Sequence, residues 1–176
     1  MMIHSNQAED TSILAAAQAM CLAARTAPKA KGMDCICTAI LTGEEKEALA
    51  KEMDRIAQEQ NMAFFQRDAQ NVRAASAIVL IGSVNKVRGL NTTCQFCGFQ
   101  DCGTCTAQGG RCAYTAMDLG IAIGSAVSTA ADRRADNRVL FSAGRAAMNL
   151  KLLGEDICQA VGIPLSASGK SPFFDR

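Results

Sequence analysis

The sequence predicts an α+β domain, helices packed on a sheet, and three observations carry that prediction. Residues 8–24 place Ile13, Leu14, Ala17, Met20, Cys21 and Ala24 at the spacing of one buried helix face. Two apolar runs of strand length follow, "CICTAIL" at 35–41 and "SAIVLIGS" at 76–83; the second is continuous enough for a central strand. Last, "CQFCGFQDCGTCTAQGGRC", residues 94–112, packs five of the nine cysteines and four glycines into a loop between elements.

The remaining elements follow in order. "RTAPKAKGMD" (25–34) ends the first helix with Pro28 and Gly32 and carries Arg25, Lys29 and Lys31. "TGEE" (42–45) reads as a capping box for a helix that runs to about Gln60. A short helix is expected over 67–75. The segment 114–131 is apolar nearly all round, which predicts a deeply buried helix. Its Gly120 and Gly124, four residues apart, leave room for a close neighbour. A strand or turn is expected near "NRVLFS" (137–142), then helices over 144–153 and 156–161. The Gly-, Pro- and Ser-rich tail 162–176 carries Phe173 and Phe174, which call for burial.

With 176 residues and no internal repeat, the expectation is a single domain over 1–176 with the cysteine loop 94–112 inside it. Half the chain is apolar (49%) and one fifth charged (20%), an ordinary globular composition. A formal net charge of +1 gives no electrostatic footprint for nucleic acid. The N-terminal stretch lacks the layout of a signal peptide, and the longest apolar run, 119–131, is too short to span a bilayer. A cytoplasmic protein without membrane partners is expected.

In a reducing compartment a cysteine cluster is metal-binding or catalytic more often than a disulfide framework. His4 is the single histidine and lies in the N-terminal tail, away from any core, which excludes Ser-His-Asp and Cys-His catalysis and His-rich zinc sites. No catalytic residue stands out; Tyr114, the one tyrosine, is the candidate proton donor. The loop spacing is Cys94-x2-Cys97-x4-Cys102-x2-Cys105-x6-Cys112. Zinc knuckles are usually set about 15–20 residues apart. The two C-x2-C pairs here are much closer, and wrapping a cuboidal 4Fe–4S cluster is easier for them. Cys94, Cys97 and Cys102 form the compact core of a ligand set. The fourth place falls to Cys105 or Cys112, and Cys112 is favoured because a ligand from a separate segment closes the loop around a cluster. Cys21, Cys35, Cys37 and Cys158 are expected as packed core thiols.

Three flanking stretches, "AARTAPKAKGMD", "DLGIAIGSAVSTAADRRADNRV" and "GIPLSASGKSPFFDR", resemble a family of uncharacterised ferredoxin-domain proteins found mostly in anaerobes. In that family the loop "CGFQDC" is followed by a cysteine just before the "DLGIAIGSAV" helix, which matches Cys112. More distantly the chain resembles the nitroreductase superfamily with an iron–sulfur loop inserted, although it lacks their early Arg-x-Ser-x-Arg signature and longer C-terminal part. That resemblance implies a nitroreductase-like mixed sheet packed with helices, a homodimer, and FMN. The flavin would lie against the turn of Arg25, Pro28, Lys29, Lys31 and Gly32, with Gly124, Ser125 and Lys170 nearby. Arg supplies a fork and Lys a point charge to a phosphate. The implied function is electron transfer between a 4Fe–4S cluster and a flavin, as an oxidoreductase with an unidentified electron donor or acceptor. The alternatives are a flavin-free electron carrier or sensor, and a zinc-stapled structural domain.

Overall fold

A computed structural model describes residues 1–174 of the chain. Six helices and four strands follow one another: α1 (Ser5–Thr26), β1 (Ile36–Leu41), α2 (Gly43–Gln60), α3 (Ala63–Ala74), β2 (Ala77–Val84), α4 (Cys102–Ala107), α5 (Ala113–Asp132), β3 (Asp136–Asn137), α6 (Phe141–Asn149) and β4 (Ile157–Ser166). The sheet order is β1-β2-β4-β3. Where a mixed sheet was expected, all three pairings are antiparallel.

The continuous apolar run at 76–83 becomes the central strand because it has to satisfy two layers at once. Ala77, Val79 and Ile81 face α1 and α5, together with Ile13, Ala17 and Met20 of α1. Ile78 and Leu80 face α2, α3 and α6, where Leu49, Met53 and Phe65 meet them. Period-two alternation therefore feeds both cores, and helices cover both faces of the sheet.

Several boundaries differ from the sequence reading. Residues 156–161 are not helical: Ile157 opens β4, which pairs with β2 from Val84 back to Ala77. The extended run continues through Gly162 and Pro164, residues that a helix interior disfavours, and it carries Cys158 onto a strand. Thr42 is the N-cap of α2 but makes no side-chain capping bond; Glu44 and Glu45 instead complement the helix dipole in its first turn. The helix expected at 67–75 starts earlier, at Ala63, and the one expected at 144–153 begins at Phe141 and stops at Asn149.

The 114–131 helix is buried on one face only. Thr115, Asp118, Leu119, Ala122, Ala126 and Ala130 point inward, while Met117 and Ile121 remain about half exposed at 48% and 47%. Nothing lies within 4 Å of a methyl placed on Gly120 or Gly124, so among the described residues the close neighbour expected there is not found. Close approach falls at Gly144 instead, where an added Cβ would sit 2.0 Å from the Ala160 carbonyl oxygen. Phe173 is buried as expected, and Arg138 donates to its carbonyl at 2.7 Å. Among the described residues no helix is long and apolar enough to cross a membrane.

Candidate metal centre

β2 ends at Val84, and the chain then leaves the sheet on the excursion that carries the cysteines. Asn85 closes that excursion. Its Oδ1 accepts the backbone N–H of Cys112 at 3.1 Å and the Thr115 hydroxyl at 3.3 Å, and its Nδ2 donates to the Gly110 carbonyl at 3.0 Å. One amide side chain thus ties the loop exit and the first turn of α5 to the end of β2. Asn85→Ala removes three hydrogen bonds, of which each contributes about 0.5–1.5 kcal/mol. We expect urea unfolding to show a loss of about 2 kcal/mol, with faster amide exchange at Cys112 and Thr115.

Within the loop the backbone bends through left-handed residues at Gln95 (φ 53°) and Gly98 (φ 80°). Asp101 caps α4 by accepting the Thr104 N–H at 2.7 Å, which holds its carboxyl below the usual range. Gly110 has no side chain for a reason: a Cβ there would meet the Phe99 ring at 2.5 Å, so Phe99 closes over it.

This folding brings all five loop thiols, Cys94, Cys97, Cys102, Cys105 and Cys112, to the wall of one recess of about 340 Å³ counting its open mouth. Cys105 is the innermost and fully buried; burial pushes its thiol pKa up, with Cys97, Cys112 and Cys102 adding to the effect. The Asn91 N–H donates to the Cys102 sulfur at 3.4 Å. Among the described residues no three Cys, His, Asp or Glu side chains converge tightly enough to hold a single metal ion. The thiols ring a space rather than meet at a point.

Arg88 lines the same recess and is the residue that sequence reasoning missed. Its side chain is 1% exposed and pairs with Asp118, itself 3% exposed, at 2.6 Å. Its other terminal nitrogen bonds the Lys86 carbonyl and lies 3.7 Å from the Cys35 sulfur. Burial works against the charge, but Asp118 and the thiols of Cys35 and Cys112 outweigh it and hold the guanidinium above its ordinary pKa. The Nε–H has no partner and is buried. A cation with an unused donor in a wall of thiols suits an anionic, sulfur-rich group. In the sequence nothing separates Arg88 from a surface arginine; Cys35, read as core packing, is only partly buried and lies beside Arg88.

The predicted flavin turn is in part spoken for. The Lys29 side chain is largely buried and donates to the carbonyls of Ala24 (2.8 Å) and Arg25, so it caps the end of α1. Arg25 pairs with Asp34 on the surface, and Ser125 donates to the Ala23 carbonyl at 3.1 Å, joining α5 to α1. Pro28, Lys31, Gly32 and Gly124 are exposed. Lys31 holds a left-handed backbone (φ 56°) beside Gly89. The turn is linked to the thiol recess, because the Ala30 N–H donates to Asp118, at 3.1 Å, and Asp118 holds Arg88. Lys170 lies apart from this set, in a recess with Arg67, Asn71 and Arg138. Tyr114 lines the mouth of the thiol recess, its ring 5.9 Å from that of Phe96. Cys21 packs, partly buried, against the core, whereas Cys158, expected as a core thiol, is only partly buried on β4, where it donates to the Ser83 carbonyl at 3.2 Å.

Comparison with known proteins places this arrangement. Solved structures share the fold: an oxidoreductase containing FMN (TM-score 0.61, 11% identity, 92% of this chain and 70% of that one) and the nitroreductase CinD from Lactococcus lactis in complex with nicotinic acid (TM-score 0.58, 17% identity, 92% and 84%). A putative NADH dehydrogenase/NAD(P)H nitroreductase from Bacteroides thetaiotaomicron aligns over all of this chain and 82% of its own, with TM-score 0.56 and 12% identity. At such identities the likeness is one of fold, and the fold is that of the nitroreductases. Residues 108–176 match a family described as uncharacterized protein containing a ferredoxin domain (DUF2148), a segment that takes in Cys112 but begins after the other four loop cysteines. An uncharacterized protein of Archaeoglobus fulgidus is 39% identical over 184 residues, covering 100% of this chain and 98% of its own. The chain therefore belongs to the family of uncharacterized proteins containing a ferredoxin domain.

Proposed function

We propose that this protein is a redox protein that holds one 4Fe–4S cluster and moves single electrons between it and a flavin. The observation that carries the reading is the recess of five thiols with buried Arg88 in its wall. The donor chemistry fits: thiolates are the ligands of such clusters, and N–H groups directed at sulfur tune them. Cys94, Cys97, Cys102 and Cys112 are the ligands. Cys112 is the N-cap of α5 and is tied to the end of β2 through Asn85, whereas Cys105 lies on the short helix α4 within the loop, among the other thiols. Gly98 and Gly109, both left-handed, let the loop turn tightly where the thiols gather.

Single Cys→Ser changes test the ligand set through iron and sulfide analysis of anaerobically purified protein. Serine at 94, 97, 102 or 112 is expected to lose the cluster, and Cys105→Ser to keep it. Loss with Cys105→Ser and retention with Cys112→Ser would overturn the choice of fourth ligand.

The flavin half of the reading rests on the shared fold with FMN-containing oxidoreductases and on the turn 28–32, which Asp118 and Arg88 connect to the thiol recess. FMN lies on this turn, with Lys31 and Arg25 toward its phosphate. An FMN titration of the cluster-loaded protein tests it; absence of binding leaves the flavin-free electron carrier. The working unit is a homodimer. Leu14 and Leu22 of α1 and Met117 and Ile121 of α5 present apolar surface outward, which a second copy covers. Light scattering at micromolar concentration is expected to return twice the 18.5 kDa chain mass, and a monomer mass would contradict it.

A further inference from the structure

A second cavity, about 670 Å³, lies on the other side of the first turn of α5. Buried Phe65 and Leu119 line it, with Ile123 and the exposed Phe141 beside them. Arg111 and Arg145 stand at its rim, and among the described residues neither has an ion pair or side-chain hydrogen bond. The third arginine, Arg55, is already engaged by Glu52 and Glu59. Gln159 contributes a buried Oε1 without a donor, an acceptor that a bound molecule would satisfy. Gly120 leaves the wall open, since a side chain there would meet nothing within 4 Å.

An apolar slot of this volume with a few polar groups at one end is the composition of a small-molecule site. The free charges are both positive and both guanidinium, which match a carboxylate, sulfonate or phosphate with two parallel bonds each. Aromatic and branched side chains opposite them suit a flat ring. We propose that this groove binds a planar aromatic anion, its charged group between Arg111 and Arg145 and a ring donor at Gln159. Arg111 directly precedes Cys112, so the site adjoins the thiol recess across one turn of helix. This goes beyond the redox reading, because binding here requires no cluster.

Such an anion has two sources, a nucleotide cofactor or a free aromatic substrate, and two probes separate them. FMN stands for the first and anthraquinone-2-sulfonate for the second, each titrated into the full-length protein by calorimetry. Wild type is expected to bind at least one. Arg111→Ala/Arg145→Ala is expected to weaken that binding by about tenfold or more, the effect of losing a charge-assisted hydrogen bond. Both residues are exposed, so the fold is expected to survive, and circular dichroism checks it. Gly120→Leu fills the slot without touching either charge and is expected to abolish binding. If neither probe binds wild type, the groove proposal is overturned and the cluster reading is untouched. If FMN binds with equal affinity to wild type and both variants, the flavin reading stands and the groove proposal falls.

Discussion

Arg88→Met is expected to lower the reduction potential of the reconstituted protein by roughly 100 mV and to destabilise the metal-free chain. The first effect is electrostatic. A unit charge about 7 Å away across an effective dielectric of about 20 contributes about 2 kcal/mol, which is roughly 100 mV for one electron. Removing a cation makes the more negative, reduced state harder to reach, so the potential falls. The second effect comes from Asp118, 3% exposed, which would be left without its cation. Breaking a buried pair in this way costs about 3–5 kcal/mol. The double variant Arg88→Met/Asp118→Leu separates the two: it removes the stranded carboxylate and is expected to recover part of the stability and, because a positive and a negative charge are deleted together, most of the potential. Spectroelectrochemistry on both variants and Arg88→Lys measures this. An unchanged potential in Arg88→Met would remove Arg88 from the site.

Gly144→Val is expected to prevent or severely weaken folding. At Gly144, α6 rests directly on β4: a Cβ would lie 2.0 Å from the Ala160 oxygen and 2.5 Å from the Val161 Cα. These are backbone atoms of a strand paired along its length with β2, so neither side yields easily. Gly162 makes the reciprocal contact, with Ala143 Cβ 2.7 Å from the position of its missing side chain. Overpacking commonly costs about 1–3 kcal/mol and occasionally more; against a total stability of about 5–15 kcal/mol, a forced separation of α6 from the sheet removes much of the margin. Gly124→Ala is the control, since it is helical, exposed and faces open space. It is expected to stabilise α5 by about 0.5–1 kcal/mol. Urea midpoints of the two variants should therefore move in opposite directions.

What the sequence made legible was what periodicity and composition encode. The central strand announced itself because burial on both faces demands an unbroken apolar run, and the cysteine loop because few residue types share its chemistry. β4 was misread because "ICQAVGI" has no alternation: it is buried on both faces over part of its length, and a short run of that kind is ambiguous between helix and strand. Its partner lies far away in sequence, at Ala77–Val84, so the pairing that decides the matter is invisible locally. The same holds for the site. Arg88 and Asp118 are 30 residues apart and each looks like a surface charge until the fold buries both. Lys29 failed as a free cation for the opposite reason, because the orphan carbonyls at the end of α1 claim it.

The measurement closest to the central claim is iron and acid-labile sulfide per chain in protein purified without oxygen, read beside its visible absorption. The account predicts about four of each, with a broad brown absorption that bleaches on reduction and is lost when Cys94, Cys97 or Cys102 becomes serine. A folded, colourless protein carrying about one zinc per chain without sulfide, or no metal, would contradict it.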